Sequence, residues 1–510
     1  MKKIAVNKVF FSFFILVLIT CTNSAADKKQ KVTNYKISSD FLKAPEKSID
    51  FVIKTAEFWK MPYDSEYGGF FTNVERDGSP VKGETLKTIL TQSRNAYGFT
   101  KAYILTGNEE YLKYARYALD FMYKYGWDKK NQGFHTCMDK QGNSIDFSAD
   151  YPSNKEKWSF MQHYALLGIA AMYGATCNSI DYEFLIKGRN VIDEKLWDDN
   201  PPYKGYYETA DYDWSNPRDK GFTPTMDCVT THGLSLYLIT GEEKYKTRLL
   251  ELGDNIIDHI IPSMDERKLG FAEKYDSQWN AKEDSFLFIG HVLKTAWCLD
   301  RIYLIKKNSE YLEGAQKLLQ EIQDKAWDSE NGSPYSSGDS ISGKLLNQSK
   351  DWWTIEQAIN AGLINYYITG NGFYLKMADQ AIDFFTKNII DWEYGGAFAA
   401  TDHTGKTKLS TLKGDYWKAG YHTIETGYYI YTYGNLYIHK KPVKLFYMIE
   451  KSNNERNIKL TPIAIEDSKL IIKSVKLDGE EYTNFDSKKR ILSIISGNGG
   501  EFEVEFAVAE

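Results

Sequence analysis

The chain has 510 residues, of which 42% are hydrophobic and 15% aromatic, and its formal net charge at pH 7 is −6. This length fits one large domain with an appendage or several smaller domains, and the hydrophobic share is sufficient for a sizeable core. The acidic balance and the lack of a long basic run argue against a nucleic-acid-binding protein, because phosphate contacts require clustered cations.

The first 21 residues are typical of a lipoprotein signal peptide. A basic start, MKK, precedes an apolar stretch at residues 9–20 that is too short to span a bilayer. The stretch ends in the lipobox-like sequence LITC, so we expect Cys21 to become a diacylated amino terminus. The protein would then be exported and lipid-anchored in the periplasm or at the outer membrane of a Gram-negative bacterium. The alternative is cleavage after Ala25 or Ala26, which would release a soluble exported protein.

The other cysteines predict neither a zinc site nor a disulfide framework. They are Cys137, Cys177, Cys228 and Cys298, widely spaced and without a C-x-x-C motif. We expect four buried free thiols.

A turn-like segment recurs six times in the next part of the chain. Each copy has an Asp and, a few residues later, a Gly that an aromatic residue usually follows. The Asp positions are Asp64, Asp128, Asp198, Asp265, Asp328 and Asp391. Their period of roughly 65 residues is long enough for two helices and a hairpin-like loop.

A second marker lies half a period away. Gly107, Gly241 and Gly370 each follow a Leu-Thr or Ile-Thr pair and fit the left-handed position just after a helix. The tract that follows, as at residues 111–121, has the 3–4 spacing of an amphipathic helix. After a linker at 22–40, six helix pairs closing on themselves therefore predict an all-α (α/α)6 barrel over residues 41–439. Short loops would lie on one face and the Asp–Gly hairpins on the other.

The pattern of the sequence changes from helical spacing to strand-like runs at residue 440. Strand-like runs rich in β-branched and aromatic residues occupy 443–450, 458–465, 470–477, 491–495 and 501–508, separated by turn signals. They predict a small all-β domain, a β-sandwich over residues 440–510. A structural cap on the barrel is one interpretation, and a carbohydrate-binding module is the alternative.

Three of the eight histidines stand out by their position. His232, His291 and His422 each lie at the head of an apolar helical tract in different repeats. Together they predict a shared site. Histidine titrates near pH 6.5, so it can take up and return a proton in catalysis.

Short motifs around these histidines resemble those of the N-acylglucosamine 2-epimerase / cellobiose 2-epimerase family over about residues 45–440. The motifs are Gly290-His291 with Trp297, Trp417-Lys418-x-x-Tyr421-His422, Trp352-Trp353 followed by Glu356, Gln92-x-Arg94, and Cys228-x-x-x-His232. The last has Cys where the family has Asn. The resemblance implies an isomerase, either a sugar 2-epimerase or an aldose–ketose isomerase.

The resemblance also implies roles for four residues. His291 and His422 would act as catalytic bases on opposite faces of C2 of an open-chain sugar. His232 would assist ring opening or orientation, and Arg94 would bind the developing enediolate oxygen. Such a reaction needs a base near neutrality and cationic stabilisation of an oxyanion. We expect the two catalytic rings to face one another about 5–9 Å apart, near attack distance on both faces.

Four more residues are predicted to bind substrate. Trp353 and Trp417 would stack on the sugar ring or wall the pocket, in keeping with the many aromatic residues of the chain, and Glu356 and Cys228 would complete it. The family needs no cofactor, and the histidine spacing does not resemble a metal site. The expected partner is a mono- or oligosaccharide, with the membrane reached only through the lipid anchor, and the chain would be a monomer or dimer.

Two charges depart from the family pattern. Lys294, three residues after His291, stands where the family has Glu, and Glu425, three residues after His422, stands where it has Arg. This exchange predicts a buried ion pair between Lys294 and Glu425 beneath the two histidines. The spacing after the paired tryptophans leaves Glu356 and Gln357 as alternatives for the family's Glu.

Two other functions remain open at this stage. A glycoside hydrolase or lyase would need two carboxylates across the pocket, with candidates Asp227, Glu356, Asp415 and Glu425. A non-catalytic sugar-binding lipoprotein is the second alternative. Within the isomerase hypothesis, 2-epimerisation and aldose–ketose isomerisation are not distinguished, since both pass through the same enediol.

Overall fold

The computed structural model describes residues 35–147 and 151–509. The predicted signal peptide and the lipidation site, Cys21, lie outside the described residues. Within them the chain is mainly helical up to His439 and strand-rich from Val443 onward, which agrees with the predicted position of this change. No helix in these ranges is long and apolar enough to cross a membrane.

Fourteen α-helices lie within the described residues. They are α1 (Asp40–Lys43), α2 (Lys47–Lys60), α3 (Ile89–Thr106), α4 (Glu109–Phe121), α5 (Ser159–Thr176), α6 (Ser179–Leu196), α7 (Phe222–Cys228), α8 (Leu234–Thr240), α9 (Glu243–Asn255), α10 (Ile289–Ile305), α11 (Ser309–Lys325), α12 (Trp352–Thr369), α13 (Gly372–Phe384) and α14 (Tyr421–Tyr433). Further turns are π-helical at Met122–Gly126, Val229–Gly233, Ile256–Ile260, Phe385–Ile389 and Gly434–His439, and 3-10 at Pro262–Glu266. A π turn joins α7 to α8, and α1 is very short, so the described chain has the twelve main helices that were predicted.

The helices contact one another in a regular order. Helix α3 packs against α5 and α14, α5 against α7, α7 against α10, α10 against α12, and α12 against α14. Five of these also pack against the helix that follows them in sequence, as α3 does with α4 and α10 with α11, whereas α14 packs against α2 from the start of the chain. The six helices α3, α5, α7–α8, α10, α12 and α14 therefore form one group, and the helices that pack against them one by one form another.

The connections within helix pairs are short and pass through a left-handed residue. Gly107 follows α3 with φ 71°, and its N–H donates to the carbonyl oxygen of Tyr103 at 2.8 Å. Gly241 and Gly370 take the same position after α8 and α12, as predicted. Cys177 takes it after α5 with φ 55°, so this copy of the repeat lacks the glycine signal.

The Asp–Gly segments lie in the connections between pairs, and five of the six Asp side chains form buried ion pairs with lysine. The pairs are Asp64–Lys87 at 2.7 Å, Asp128–Lys157 at 2.9 Å, Asp198–Lys220 at 2.7 Å, Asp328–Lys350 at 2.9 Å and Asp391–Lys413 at 2.7 Å. In the remaining copy Asp265 pairs with exposed Lys317 at 3.1 Å, and buried Leu287 stands at the lysine position. The recurring Asp is thus explained by a structural ion pair.

Short strands lie in these connections, and longer strands form the carboxyl-terminal region. The short strands are β1 (Lys87–Thr88), β2 (Cys137–Met138), β3 (Glu156–Trp158), β4 (Trp197–Asp198), β5 (Gly205–Tyr206), β6 (Thr209–Asp211), β7 (Lys220–Gly221), β8 (Lys274–Tyr275), β9 (Phe286–Phe288), β10 (Trp327–Asp328), β11 (Ser333–Pro334), β12 (Ser337–Asp339), β13 (Leu345–Asn347), β14 (Lys350–Asp351) and β15 (Ala400–Thr401). The carboxyl-terminal strands are β16 (Val443–Ile449), β17 (Arg456–Lys459), β18 (Leu470–Leu477), β19 (Glu480–Glu481), β20 (Phe485–Asp486), β21 (Ile491–Ile494) and β22 (Gly500–Val508).

The carboxyl-terminal strands form two antiparallel sheets, in the orders β16-β22-β18-β19 and β17-β21-β20. The strand predicted at 458–465 ends early, at Lys459, because the chain reaches Pro462, which has no N–H for a ladder. Strand β16 packs against α3 and α5, and the ring of Phe446 lies against Gly107. The N–H of Glu450 donates to the carbonyl oxygen of Thr176. The β region therefore covers the end of the helices that carries the short loops.

Candidate active site

The predicted site residues lie near the amino-terminal ends of neighbouring helices. His291 is in the first turn of α10 and His422 in the first turn of α14, while Arg94 and Glu356 lie in the second turns of α3 and α12. Among these helices α3 contacts α14, α14 contacts α12 and α12 contacts α10, and their amino-terminal ends are opposite to the end covered by the β region. The β region thus lies away from these residues.

His291 is bonded to a carboxylate that was not predicted from the sequence. Its Nδ1 lies 2.9 Å from Oε1 of Glu273, which also accepts the N–H of Phe288 at 2.9 Å. The imidazole stacks on the ring of Phe222 with centroids 4.0 Å apart. With Nδ1–H donated to a carboxylate, Nε2 carries the lone pair and can serve as a base.

Trp353 closes the other side of His291. The centroids of the indole and imidazole rings are 5.5 Å apart. Gly290 precedes His291 because of this indole: an added Cβ at Gly290 would lie 2.3 Å from the ring of Trp353. The glycine of the Gly-His motif is therefore explained by the close approach of an aromatic ring to the backbone.

His422 has a carboxyl partner of a different kind. Its Nδ1 lies 3.1 Å from Oε2 of Glu356, and both side chains are buried. Burial, followed by the positive charges of Arg94, Lys294 and Lys418, holds the pKa of His422 well below its usual range. The imidazole is therefore neutral at physiological pH.

Glu356 forms a buried carboxyl pair with Glu425. Oε1 of Glu356 accepts a hydrogen bond from Asn360 at 2.5 Å, and Oε1 of Glu425 accepts one from the Tyr97 hydroxyl at 2.5 Å. Burial and then the adjacent Glu425 carboxyl raise the pKa of Glu356 well above its usual range. The raised pKa favours the protonated form of Glu356.

Gln357 settles the register of this motif. Its Oε1 accepts the indole N–H of Trp297 at 2.7 Å, and its Nε2 donates to Glu356. Glu356 is the residue that contacts His422, whereas Gln357 orients the Glu356 side chain. Glu356 is fully buried, and its contact with substrate stays a prediction.

Arg94 is a buried cation with no carboxylate partner in the described part of the chain. It donates to the carbonyl oxygen of Trp417, and its guanidinium lies 4.7 Å from the ring centroid of Tyr164. Burial of an uncompensated cation is costly unless it meets an anion. Arg94 is therefore suited to bind a developing oxyanion.

The predicted ion pair between Lys294 and Glu425 is wrong. Nζ of Lys294 lies 2.6 Å from Oδ1 of Asp227 and 3.4 Å from the Tyr164 hydroxyl, and all three side chains are buried. Glu425 bonds instead to Tyr97. Helical spacing places each charge on the expected face of its own helix, but the partner depends on which neighbouring helix that face meets.

A chain of contacts connects His291 and His422, the two histidines predicted to be catalytic. Lys294 lies 5.6 Å from the ring centroid of Phe222, on which His291 stacks. On the other side, Tyr164 meets the ring of Tyr421 at 6.3 Å, and Tyr421 meets His422 at 4.2 Å. His291 and His422 therefore belong to one continuous cluster.

Trp417 lies at the exposed edge of this cluster. Its side chain is 38% exposed and meets the rings of Phe160 at 5.9 Å and Tyr151 at 6.1 Å. An exposed aromatic edge beside a buried polar cluster fits the predicted stacking on a sugar ring.

Cys228 and His232 lie below this cluster, in and beside the π turn of α7–α8. Nε2 of His232 is 3.0 Å from Nδ1 of His163, and Sγ of Cys228 is 3.7 Å from Nη1 of Arg189. Cys228 and both histidines are fully buried. The roles of His232 in ring opening and of Cys228 in substrate binding stay predictions.

Within residues 35–147 and 151–509, two groups have donor atoms close enough to surround a metal ion. They are His163 with Cys228 and His232, and Glu356 with His422 and Glu425. Neither is assigned as a metal site. The first has the Arg189 cation beside its thiol, and in the second the oxygens of Glu356 already accept three hydrogen bonds.

Glu208 is another residue that was not predicted from the sequence. Burial, followed by the charge of Asp227, raises its pKa to about 8. Its main chain is tied to the segments that precede α5 and α7, since its carbonyl accepts from Ser159 and its N–H donates to Asp219. No periodic or motif signal marks this position, since it lies in a connection.

The comparison with known proteins decides the family. A model of the family described as N-acylglucosamine 2-epimerase (GlcNAc 2-epimerase) matches residues 69–426. The chain belongs to this family. The predicted family is confirmed, and with it the prediction of an isomerase that acts as a sugar 2-epimerase or isomerase.

Relatives within the family carry both activities in their names. A cellobiose 2-epimerase of Dictyoglomus turgidum is 21% identical over 380 residues, covering 72% of this chain and 93% of the relative. A D-mannose isomerase of Marinomonas mediterranea is 22% identical over 390 residues, covering 74% and 94%.

Solved structures show the fold. A crystal structure of D-mannose isomerase has a TM-score of 0.68 at 19% identity, covering 78% of this chain and 100% of the other. The cellobiose 2-epimerase from Spirochaeta thermophila has a TM-score of 0.67 at 18% identity, covering 78% and 99%. A family 76 glycoside hydrolase (mannosidase) from Bacteroides thetaiotaomicron reaches 0.54 at 13%, covering 76% and 98%. The fold alone therefore does not separate isomerases from hydrolases.

Proposed function

We propose that this protein moves the C2 proton of an open-chain reducing sugar through an enediolate, as an aldose–ketose isomerase or a 2-epimerase. The observation that carries the proposal is the pairing of two histidines, His291 and His422, each bonded at Nδ1 to a carboxyl group within one cluster. Arg94 adds an uncompensated buried cation beside them.

The scaffold is proposed to be an (α/α)6 barrel. The order of helix contacts supports this, because α3, α5, α7, α10, α12 and α14 each contact the next and α14 returns to α3. A closed ring of six helices places their amino-terminal turns around one opening. Residues 41–439 would form this barrel and residues 440–510 a β-sandwich beneath it.

The chemistry follows from the residues present. A proton α to a carbonyl is weakly acidic, so its removal needs a positioned base and a stabilised oxyanion. His291 offers a free Nε2 because Glu273 fixes its tautomer, and Arg94 would stabilise the enediolate oxygen. Trp353 and Trp417 would bind the sugar ring. That the two imidazoles face one another about 5–9 Å apart stays a prediction.

The four carboxyl groups that were candidates for a hydrolase are all bonded to other protein groups. Asp227 is bonded to Lys294, Glu356 and Glu425 form one pair, and Asp415 accepts the N–H groups of Trp417 and Lys418. A glycoside hydrolase requires two carboxyl groups on either side of the scissile bond. The bonds that these four already make therefore disfavour a hydrolase.

Incubation with reducing sugars in heavy water tests the proposal. With a panel of aldoses and reducing disaccharides, we expect a ketose or a C2 epimer of unchanged chain length, with deuterium confined to C1 or C2. Shortened products, or binding without deuterium uptake, would contradict it.

Export and lipid anchoring at Cys21 are proposed from the sequence alone, and membrane fractionation of Cys21→Ser in a Gram-negative host tests them.

A further inference from the structure

Glu208 and Glu273 occupy the same position in successive repeats. Each follows the glycine of its Asp–Gly segment by three residues. The carbonyl oxygen of Glu208 accepts the N–H of Ser159, the first residue of α5, at 2.9 Å. The carbonyl oxygen of Glu273 accepts the N–H of Phe222, the first residue of α7, also at 2.9 Å. The two side chains therefore start from matching places at the same end of the helices.

The helix that follows each glutamate differs at one residue. Glu273 bonds to His291, the third residue of α10. The third residue of α7, which takes the place of α10 for Glu208, is Pro224, whose side chain has no polar atom. Helix α7 therefore supplies no imidazole at this position. The side chain of Glu208 is half-buried and makes no hydrogen bond or ion pair with the described residues.

The other carboxyl groups around the site are already bonded. Their pairs are Asp227–Lys294, Glu273–His291, Glu356–His422 and Glu425–Tyr97. Of these four and Glu208, only Glu208 has both carboxyl oxygens free of a hydrogen bond from the described part of the chain. A carboxyl group that is half-buried and unbonded is suited to contact a ligand.

Glu208 lies close to the partner of His291 and among other carboxyl groups. The charged groups that face it are Asp219 before α7, Asp227 in α7, and Glu273 and Lys274 before α10. Three of these four are carboxyl groups, so their charges and the partial burial of Glu208 disfavour its ionisation. The protonated form is therefore favoured, in keeping with its pKa of about 8.

The proposed reaction needs a step before proton removal, because reducing sugars in water are almost entirely cyclic. Ring opening requires a proton for the ring oxygen and an acceptor for the proton of the anomeric hydroxyl. A protonated carboxyl group supplies both. His232, predicted to help ring opening, is fully buried, with its Nε2 3.0 Å from Nδ1 of His163. Glu208 is more accessible than this histidine.

We propose that Glu208 is a further catalytic residue, whose carboxyl group opens the ring of the cyclic sugar before His291 removes the C2 proton. This inference rests on the proposed function and adds the step that precedes proton removal.

The step balances within one carboxyl group. The O–H of Glu208 gives its proton to the ring oxygen, O5, while the other carboxyl oxygen takes the proton of the anomeric hydroxyl, O1. The C1–O5 bond breaks with its electron pair on O5, and the electrons of the O1–H bond form the C1–O1 double bond. Glu208 is left protonated on its second oxygen, so no further reactant is consumed. The open-chain aldehyde then presents its C2 proton to His291.

Exchange between the α and β anomers of the sugar measures ring opening separately from isomerisation, since it leaves C2 untouched. Magnetisation-transfer NMR follows this exchange on an aldose identified in heavy water. We expect the wild-type protein to accelerate it. Glu208→Gln keeps the size of the side chain but has no acidic proton, so it should lower the acceleration about 100-fold, within the range for general acid–base catalysis.

Two variants separate this role from a structural one. Glu208→Asp keeps the carboxyl group one methylene farther away and should retain more of the acceleration than Glu208→Gln. Glu251→Gln is the matched control, because Glu251 is a half-buried carboxylate on the outer helix α9 that pairs with Lys204 at 3.2 Å. It should leave the anomer exchange unchanged. Urea unfolding checks that each variant is folded.

The pH profile of the wild-type protein tests the proposal without any variant. Above the pKa of about 8 the Glu208 carboxylate has no proton to give. After subtraction of the uncatalysed rate, the acceleration should therefore be full near pH 6 and fall as the pH rises through about 8. An acceleration that grows through pH 8 would overturn the proposal, even if Glu208→Gln failed to fold.

The outcomes distinguish this inference from the proposed function. A wild-type protein that forms a ketose or epimer without accelerating anomer exchange would overturn the inference and leave the proposed function intact. Unchanged acceleration in folded Glu208→Gln would do the same. If anomer exchange depends on Glu208 but no sugar takes up deuterium at C1 or C2, the proposed function fails and the ring-opening role of Glu208 is supported.

Discussion

Replacing His291 with asparagine is expected to lower kcat by about 100- to 10,000-fold, the range for loss of a general base. The amide N–H of asparagine can still donate to Glu273, so the local hydrogen bond is kept while Nε2 is lost. Glu273 also remains bonded to the N–H of Phe288. The fold should therefore be unaffected. Steady-state rates on an aldose identified in heavy water, together with urea unfolding, measure both effects.

His403→Asn serves as the control. His403 is exposed and lies in a connection between α13 and α14, so its replacement should leave kcat unchanged. If His291→Asn kept wild-type kcat, the proposed role of His291 as a base would be wrong. A fall in kcat together with lost unfolding cooperativity would instead indicate a damaged fold.

The helical fold could be predicted because its signals are local. Glycines at 107, 241 and 370 mark helix ends through their left-handed backbone, a constraint that acts within a few residues. The Asp repeat was visible too, but its cause was not. Lys87 pairs with Asp64 across a turn and a strand, and neither periodicity nor propensity reports such a contact.

The site could be predicted only in part, because contacts between distant elements leave no local signal in the sequence. Short motifs, each within a single helix, identify His291, His422 and Arg94. Their partners come from other elements: Glu273 reaches His291 from a connection 18 residues earlier. The pairing of Lys294 was wrong because sequence fixes the face of a helix but not the neighbour that meets this face.

Removing the ammonium group of Lys294 is expected to have the largest effect on stability. Burial raises the pKa of Asp227, and the Lys294 charge opposes this, so the carboxylate depends on its partner. Lys294→Met leaves Asp227 buried without a cation and should lower the free energy of unfolding by about 3–5 kcal/mol. Urea unfolding at pH 7 measures this loss.

Adding Asp227→Asn to Lys294→Met should recover most of the loss, because no buried charge then remains unpaired. Lys317→Met is the control: Lys317 pairs with Asp265 at 3.1 Å on the surface, and exposed pairs contribute about 0–1 kcal/mol. If the double variant were as unstable as the single one, the packing of Lys294 against Tyr164, and not its charge, would be the important term.

Restoring the family's charge at this position should not help. Lys294→Glu would place a second carboxylate against Asp227, whose Oδ2 has no hydrogen-bond partner among the described residues. Two buried carboxylates in contact repel, so we expect Lys294→Glu to be at least as destabilising as Lys294→Met, even when combined with Glu425→Arg. The lysine at 294 and the acid at 227 therefore behave as one unit, separate from the carboxyl pair that adjoins His422.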